Sequence, residues 1–496
     1  MNEISNTSKV MRGMSSQTIV TIVLGLVEVV SFSIMSRLLT KEDFGYYAAI
    51  SAITMVFATF SETGIGSAIV QQKDLTKHYV NNAFTISLVF GGFISVLLFL
   101  LAGPLSSSVA DESMKVPLML MSGTLLLNSL TSVNNSIMHR KLQFLRMGLI
   151  NLVSLVITTC VAIWLAYKGF GYYAIIAKAI LGSVITYVLS YILCKTRFGF
   201  AFDWHTFKKI FSFSGWLMAS SLFRNLSHQV DRLMMPRLLS ISALGAYNRP
   251  KDFIEQISTK FNGIFDTALF PVLSDIQDNR NALNSAFHRS LFLMNVFASL
   301  LTLAFVFNSG LLIHIFFGKQ WISLQNIMMA ISCTLLFNID GRLADCYLRS
   351  LALTKQQFLF RVLEFVIKTL GVFIGSRSGI MGVAISLIIT NSIVKTIKII
   401  YVGDKVAVKP KQTIGIILSS WRHTLVILPI CVIAFCILPS TVNGCVIMTL
   451  VFVVTTVFVF VFMPRFVGKP YEEEVYKKTI LNLKSKLIRN KNNKIV

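Results

Sequence analysis

The chain has 496 residues, 54% of them hydrophobic and only 14% charged, with a mean hydropathy of +0.69. A soluble domain cannot bury that much apolar side chain, so the composition excludes a soluble globular protein and implies a polytopic membrane protein. The formal charge of +24 would suggest nucleic acid in a soluble chain. Here Lys and Arg cluster in loops between apolar runs, with no basic groove interleaved with aromatics, so the positive-inside rule accounts for most of them and no nucleic-acid partner is expected.

Residues Met1 to Ser16 are polar and lead into an apolar run without a cleavage pattern, so no removable signal peptide is expected. Runs of about 20 apolar residues then give about fourteen spans. Six lie at 17–36, 44–66, 82–102, 116–137, 147–167 and 172–194. Six more lie at 211–234, 250–272, 290–309, 325–347, 357–375 and 379–400, and a final pair at 423–439 and 444–463. The expected organisation is an N-terminal lobe over 1–195, a cytoplasmic linker over 196–210 and a second lobe over 211–400. Two further helices over 401–464 and a basic tail over 465–496, suited to anionic lipid, complete the chain. The N-terminus and alternate loops, with the tail, hold about 28 basic residues against about 8 in the opposite loops, which puts both termini in the cytoplasm.

The two lobes read as a duplication. Ser36-Arg-Leu-Leu-Thr-Lys-Glu-Asp-Phe-Gly-Tyr-Tyr47 aligns without a gap on Pro236-Arg-Leu-Leu-Ser-Ile-Ser-Ala-Leu-Gly-Ala-Tyr247. Thr124-Leu-Leu-Leu-Asn128 matches Thr334-Leu-Leu-Phe-Asn338, and Gln143-Phe-Leu-Arg146 resembles Gln357-Phe-Leu-Phe-Arg361. With six spans between the copies, both have one orientation, so the lobes should be related by an axis along the membrane normal.

Charge inside spans marks the candidate site, because an ionised side chain at membrane depth costs several kcal/mol and persists only where it faces protein or a wet cavity. Between Phe211 and Pro250, Arg224, His228, Asp231 and Arg232 fall at helical spacings that put them on one face. Glu28, Glu62 and Lys178 stand alone in the first lobe. The second also carries Lys251, Asp252, Glu255, Lys260, Asp266, Asp340, Arg342, Asp345, Arg361, Glu364 and Lys368. Lys251 with Glu255 and Glu364 with Lys368 are spaced for pairing within one helix. Arg224, Lys178, His228, Arg232, Arg342 and Arg361 are the candidates for lining a cationic cavity, since Lys and Arg bind phosphate as a point charge or a bidentate fork. Glu28 and Asp231 are the candidates for a coupling proton or cation, and Asp231 reads equally as half of an internal salt bridge.

No Walker loop, HExxH, zinc spacing or Gly-x-Ser-x-Gly elbow occurs, so no ATP hydrolysis, no metal and no cofactor are expected, and the chain reads as not an enzyme. The seven cysteines lie in or beside apolar segments without a CxxC pair, as buried small hydrophobes would.

Several motifs resemble the bacterial polysaccharide exporters of the MOP flippase superfamily, nearest the Wzx-type and colanic-acid-exporter branch. They are Arg37-Leu-Leu with Asp43-Phe-Gly45, Glu62-Thr-Gly-Ile-Gly66 through Gln71-Gln72, Met138-His-Arg-Lys-Leu-Gln-Phe144, Ser214-Gly-Trp-Leu217, Leu244-Gly-Ala-Tyr-Asn248, Leu269-Phe-Pro271 with Ile276-Gln-Asp278, and Phe316-Phe-Gly-Lys-Gln-Trp321. The resemblance implies an all-α fold of two pseudo-symmetric six-helix lobes in a MATE-like V, with two extra C-terminal helices. It implies a flippase that carries an undecaprenyl-pyrophosphate-linked oligosaccharide from the cytoplasmic to the periplasmic leaflet, for capsule, exopolysaccharide or O-antigen assembly. A polysaccharide polymerase is the expected protein partner, a proton or sodium ion the expected coupling ion, and the bacterial inner membrane the expected location.

Two other readings compete. A drug or small-solute antiporter of the same superfamily would usually have twelve spans and few buried carboxylates; a membrane polymerase or ligase would need a large external loop with paired Arg or acidic groups, which this chain lacks. The topology is open to a direct check: reporter fusions after Lys209 and Lys411 should both report cytoplasm, and an external signal at either would overturn it.

Overall fold

The structure, a computed structural model, describes the backbone of residues 2–61, 65–72, 75–194, 198–438 and 442–462. Side chains are described over the same ranges except 2–19, 67, 68, 71, 205–207, 209–218, 260–268, 423, 442 and 457–462. Glu62, the tail over 465–496 and the side chains of Lys260 and Asp266 thus lie outside the described residues.

Among those residues all regular structure is helical. In order the helices are α1 (Asn2–Leu38), α2 (Lys41–Ser61), α3 (Ile65–Gln71), α4 (Lys77–Val109), α5 (Lys115–Arg140), α6 (Phe144–Tyr167), α7 (Tyr172–Cys194), α8 (Trp204–Leu238) and α9 (Ile241–Asp275). They continue with α10 (Arg280–Phe307), α11 (Ser309–Phe316), α12 (Gln325–Ser332), α13 (Thr334–Ser350), α14 (Thr354–Gly375), α15 (Gly379–Lys405), α16 (Pro410–Ser420), α17 (Arg422–Ile437) and α18 (Val442–Phe462). In hydrocarbon every backbone group must find its partner within the chain, and a long helix does this by itself. Hydroxyls inside the helices follow the same rule by bonding back one turn, as Ser36 does to the Phe32 carbonyl, Thr54 to Ile50, Thr131 to Leu127 and Thr302 to Ala298.

The protein is a multi-pass membrane protein, as its composition implied. Nine described stretches are long and apolar enough to cross a bilayer, and one of these, Thr354–Lys405, contains both α14 and α15. This does not fix the count at fourteen, although a helix stands at each expected span. One span is broken among the described residues: the stretch over 325–347 divides into α12 and α13 at Cys333. A segment expected to be loop is instead helical, for α11 is followed by a 3-10 turn over Lys319–Leu324 that buries Trp321. Of the seven cysteines, all free, Cys194, Cys346 and Cys431 are buried, whereas Cys160 and Cys436 are exposed on their apolar helices, against the expectation of burial.

Contacts divide the chain into two compact units. The first comprises Met1–Asp252, Ile313–Ile327 and Phe358–Leu387. Within it α5 packs on α4 and α7, α6 on α7 and α1, and α8 on α2 and α4. Its apolar core includes Ile65, Ile69, Val80, Ala83, Ile86, Val133, Ile137 and Met138. Small residues bring its helices close: a Cβ on Gly91 of α4 would stand 2.7 Å from Cβ of Ser129 on α5. Asn134 of α5 donates to the Ser190 hydroxyl of α7 at 3.1 Å, joining two buried polar groups that lipid could not satisfy. The second unit comprises Phe253–Leu312, Met328–Gln357 and Ile388–Val496. There α10 packs on α13, α16, α17 and α18 around Leu303, Phe307, Ile427, Cys431 and Met448.

The duplicated motif forms the same corner twice. Leu39 N–H bonds to the Met35 carbonyl and Leu239 to Met235; Phe44 N–H bonds to Thr40 and Leu244 to Ser240. The capping hydroxyl is at the same place in each, Thr40 accepting from the Asp43 N–H and Ser240 from the Ala243 N–H. Another pair of helix ends also matches. After α5 the N–H groups of Lys141, Leu142 and Gln143 bond to Ile137, His139 and Met138; after α13 those of Leu351, Ala352 and Leu353 bond to Tyr347, Arg349 and Leu348. Leu142 and Ala352 both turn the chain at φ 56°. This agrees in register with the Thr124–Asn128 and Thr334–Asn338 match. It displaces the third match by one turn, since Phe144 opens α6 whereas Phe358 lies inside α14.

Candidate functional site

The polar groups of the first unit gather where α1, α2, α8 and α9 meet. On α8, Asp231 is 2% exposed and accepts from the Tyr247 hydroxyl at 2.6 Å and from Nζ of Lys251, both on α9 and both buried. The next residue reverses the charges: Arg232 Nη2 lies 2.5 Å from Asp252, while its Nη1 donates to Gln229 at 3.1 Å. Asn248 donates to the second Asp252 oxygen at 2.7 Å. Two adjacent ion pairs of opposite sense therefore join α8 to α9 and cancel. The buried Asp231 and the half-buried Asp252 each have charge-assisted partners.

One turn earlier on α9, Arg249 is 8% exposed. Its Nη2 donates to the Phe32 carbonyl at 2.7 Å and to Ser36 Oγ at 2.6 Å, and Nε reaches the same hydroxyl at 3.0 Å. The guanidinium lies between two rings, 3.4 Å from the Phe32 centroid on α1 and 4.0 Å from that of Phe44 on α2. Ring faces and uncharged oxygens hold this cation without neutralising it. Tyr47 stands within the fields of Arg249, Arg232 and Asp252, which links the clasp to the ion pairs.

Lys178 approaches from α7. Its Nζ donates to Ser31 Oγ at 2.6 Å, and that buried hydroxyl lies 3.4 Å from Thr159 Oγ1 of α6. Glu28 and Arg249 are both close enough to act on the Lys178 charge. Glu28, Ser31, Phe32 and Ser36 are spaced along one face of α1, so a single polar stripe meets Lys178 and then Arg249. The whole cluster sets the cations Lys178, Arg232, Arg249 and Lys251 against the carboxylates Glu28, Asp231 and Asp252, which leaves one positive charge in excess.

The structure thus brings together Glu28, Lys178, Asp231 and Arg232 of the predicted set. Arg224 and His228 are exposed on α8, so the face they were expected to share with Asp231 divides: the carboxylate turns inward and they do not. Arg361 is half-buried on α14, and its buried Nε has no hydrogen-bond partner among the described residues. On the same helix Lys368 pairs with Glu364 at 3.3 Å, as expected, and reaches the Ser227 carbonyl of α8 at 3.5 Å. Lys251, spaced for Glu255, bonds across to Asp231 instead of serving its own helix alone. Arg342 is in the second unit, half-buried on α13. In that unit Lys398 pairs with Asp345 at 2.6 Å, Lys395 bonds to the side-chain oxygen of Asn338, and Asn295 donates to Asp340 at 2.6 Å.

Sequence reasoning did not single out Arg249, Lys395 or Lys398. A signal for Arg249 was present: it directly follows the motif Leu244-Gly-Ala-Tyr-Asn248, and a basic residue preceding Pro250 inside an apolar run deserved the weight given to Arg224.

The model of the polysaccharide biosynthesis protein family matches residues 34–326, and the chain belongs to that family. Among its relatives, the lipopolysaccharide biosynthesis protein WzxC of Escherichia coli (strain K12) is 23% identical over 423 residues, which cover 84% of this chain and 85% of the relative. The succinoglycan biosynthesis transport protein ExoT of Rhizobium meliloti (strain 1021) is 23% identical over 59% of each chain. Among solved structures, the lipid II flippase MurJ in an inward closed conformation superposes with a TM-score of 0.70 at 16% identity, covering 90% of this chain and 98% of that one. The chain accordingly has the fold of that flippase.

The ion pairs make a specific demand on stability. Lys251→Ala leaves Asp231 buried without its cation and should cost about 3–5 kcal/mol, whereas Asp231→Asn with Lys251→Met removes both charges and should recover most of that loss. Thermal unfolding in detergent checks this; equal midpoints for the single and double variants would show that the pair does not hold α8 to α9.

Proposed function

We propose that this protein is a flippase that moves undecaprenyl-pyrophosphate-linked oligosaccharide units from the cytoplasmic to the periplasmic leaflet of a bacterial inner membrane. It would serve capsule, exopolysaccharide or O-antigen assembly. The observation that carries the reading is Arg249 with Lys178: two cations deep in a helical membrane protein of a polysaccharide biosynthesis family, held by hydroxyls, a carbonyl and ring faces. A sugar diphosphate cannot enter hydrocarbon without shielding, and desolvated cations in a cluster of positive excess offer its phosphates charge-assisted bonds. The polyprenyl tail needs no such help and stays in lipid.

Two six-helix lobes rocking about the cluster would expose it to each leaflet in turn. Arg224, His228, Arg232 and Arg361 are the further groups of the first unit that would meet the cargo along its path. Both termini would lie in the cytoplasm, with the basic tail against anionic lipid and a polysaccharide polymerase receiving the product. The antiporter reading is less well supported, because the carboxylates of the cluster sit beside cations and the excess charge is positive, which suits an anionic cargo.

In a strain lacking its own flippase, Arg249→Ala and Lys178→Ala should each reduce polymer roughly ten- to a hundredfold at unchanged protein level. That is the effect of losing one charge-assisted bond of about 1.5–3 kcal/mol. Normal polymer from both variants would sink the proposal. Glu28, beside Lys178, is the group placed to carry a coupling proton. A protonophore should therefore slow flipping by the native protein but not by Glu28→Gln, and an unchanged native rate would remove that role.

A further inference from the structure

The two copies of the corner do more than resemble each other, for they touch. Gly45 is the fifth residue of α2 and Gly245 the fifth of α9. A Cβ on Gly45 would stand 2.0 Å from the carbonyl oxygen of Ile241; a Cβ on Gly245 would stand 1.7 Å from that of Lys41 and 2.8 Å from the Gly45 nitrogen. Ile241 and Lys41 are themselves equivalent in the two copies, so the contact is reciprocal. Ser242 also lies close enough to act on the Glu42 carboxylate, again a pair of equivalent residues. Reciprocal contacts of this kind define a two-fold axis, here passing through the crossing of the first turns of α2 and α9.

This is backbone against backbone, with no layer of side chains between, and any residue larger than glycine is excluded on both sides. Its position is also informative. Gly245 and Arg249 are four residues apart on α9 and share a face, which sets the crossing about 6 Å along the helix from the cation. The end of α1 is held beside it, where the Ser36 carbonyl accepts from Gln320 at 2.7 Å and from the Trp321 indole at 2.8 Å. On the proposed topology this is the non-cytoplasmic end of the cluster.

We propose that the Gly45–Gly245 crossing is the outer gate of the flippase, closed in this structure, and that it must part for a headgroup held at Arg249 to leave. The inference rests on the flippase reading, and its tests separate the two. In a chain with the seven native cysteines replaced, Glu42→Cys with Ser242→Cys should form a disulfide in membranes on mild oxidation. Polymer export should stop in the oxidised protein and return on reduction. Failure of the disulfide to form overturns the juxtaposition, and export at the same rate in both redox states overturns the gate. A second variant reads the gate without transport: Gly245→Ala cannot close the crossing, so Ser36→Cys in that background should react severalfold faster with a membrane-impermeant maleimide added outside. Equal labelling with and without Gly245→Ala overturns the gate as well. If the native chain itself fails to restore polymer, the flippase reading falls, while crosslinking and labelling still report on the crossing.

Discussion

The arrangement of the first unit depends on how a guanidinium is kept in a place without water. Arginine cannot shed its proton to escape the cost of burial, so its donors must find acceptors and its faces must find something better than hydrocarbon. Arg249 obtains both from two other helices: the Phe32 carbonyl and Ser36 hydroxyl of α1, and the rings of Phe32 and Phe44 on α1 and α2. The same rings carry the constraint outward, because Phe32 packs edge-on against Phe317 and Phe44 against Trp321. A single buried cation thus sets the register of α1, α2 and α9 and fixes the segment around Trp321 against them. The neighbouring pairs Asp231–Lys251 and Arg232–Asp252 answer a related constraint differently, by mutual cancellation. Among the described residues, the first solution holds its cation without a bonded carboxylate, which is why the functional reading is centred on Arg249.

How much of this was legible beforehand differs by level. Helix positions were readable because a bilayer permits only long internally bonded segments, and uninterrupted runs of Leu, Val, Ile and Phe announce them. The break between α12 and α13 was not readable, since Cys333 carries no breaker such as Pro or Gly, and the local hydrogen bonding decides the interruption. The segment from Ser309 to Leu324 is too short and too mixed to register as a span, yet Trp321 is fully buried because its indole caps the Ser36 carbonyl at the end of α1.

For the site, in-span charge was the right signal but gave no partners. Glu28 and Lys178 stand 150 positions apart, and only the packing of α1, α6 and α7 brings them into one field. Helical spacing suggested Lys251 for Glu255, while the approach of α8 made Asp231 its closest anion. Spacing along one helix sees only that helix, and it found Glu364 with Lys368 but not the pairs that join α8 to α9.

The duplication accounts for the final feature, a symmetric backbone carrying an asymmetric charge. Setting the copies in register at Gly45 and Gly245 pairs Arg249 with Ala49, Lys251 with Ser51, Asp252 with Ala52, Asp231 with Ser31 and Arg232 with Phe32. At these five positions the second copy supplies the ions; the first supplies two alanines, two serines and a ring. If both copies carried arginine at the place of Arg249, two buried guanidinium groups would converge near the axis and repel. With alanine there in the first copy, itself fully buried, one cation can instead be held against that copy's Phe32 and Ser36. Only a few turns of helix need to differ for two like halves to form one polar site, while the glycines that let the backbones meet must stay the same in both.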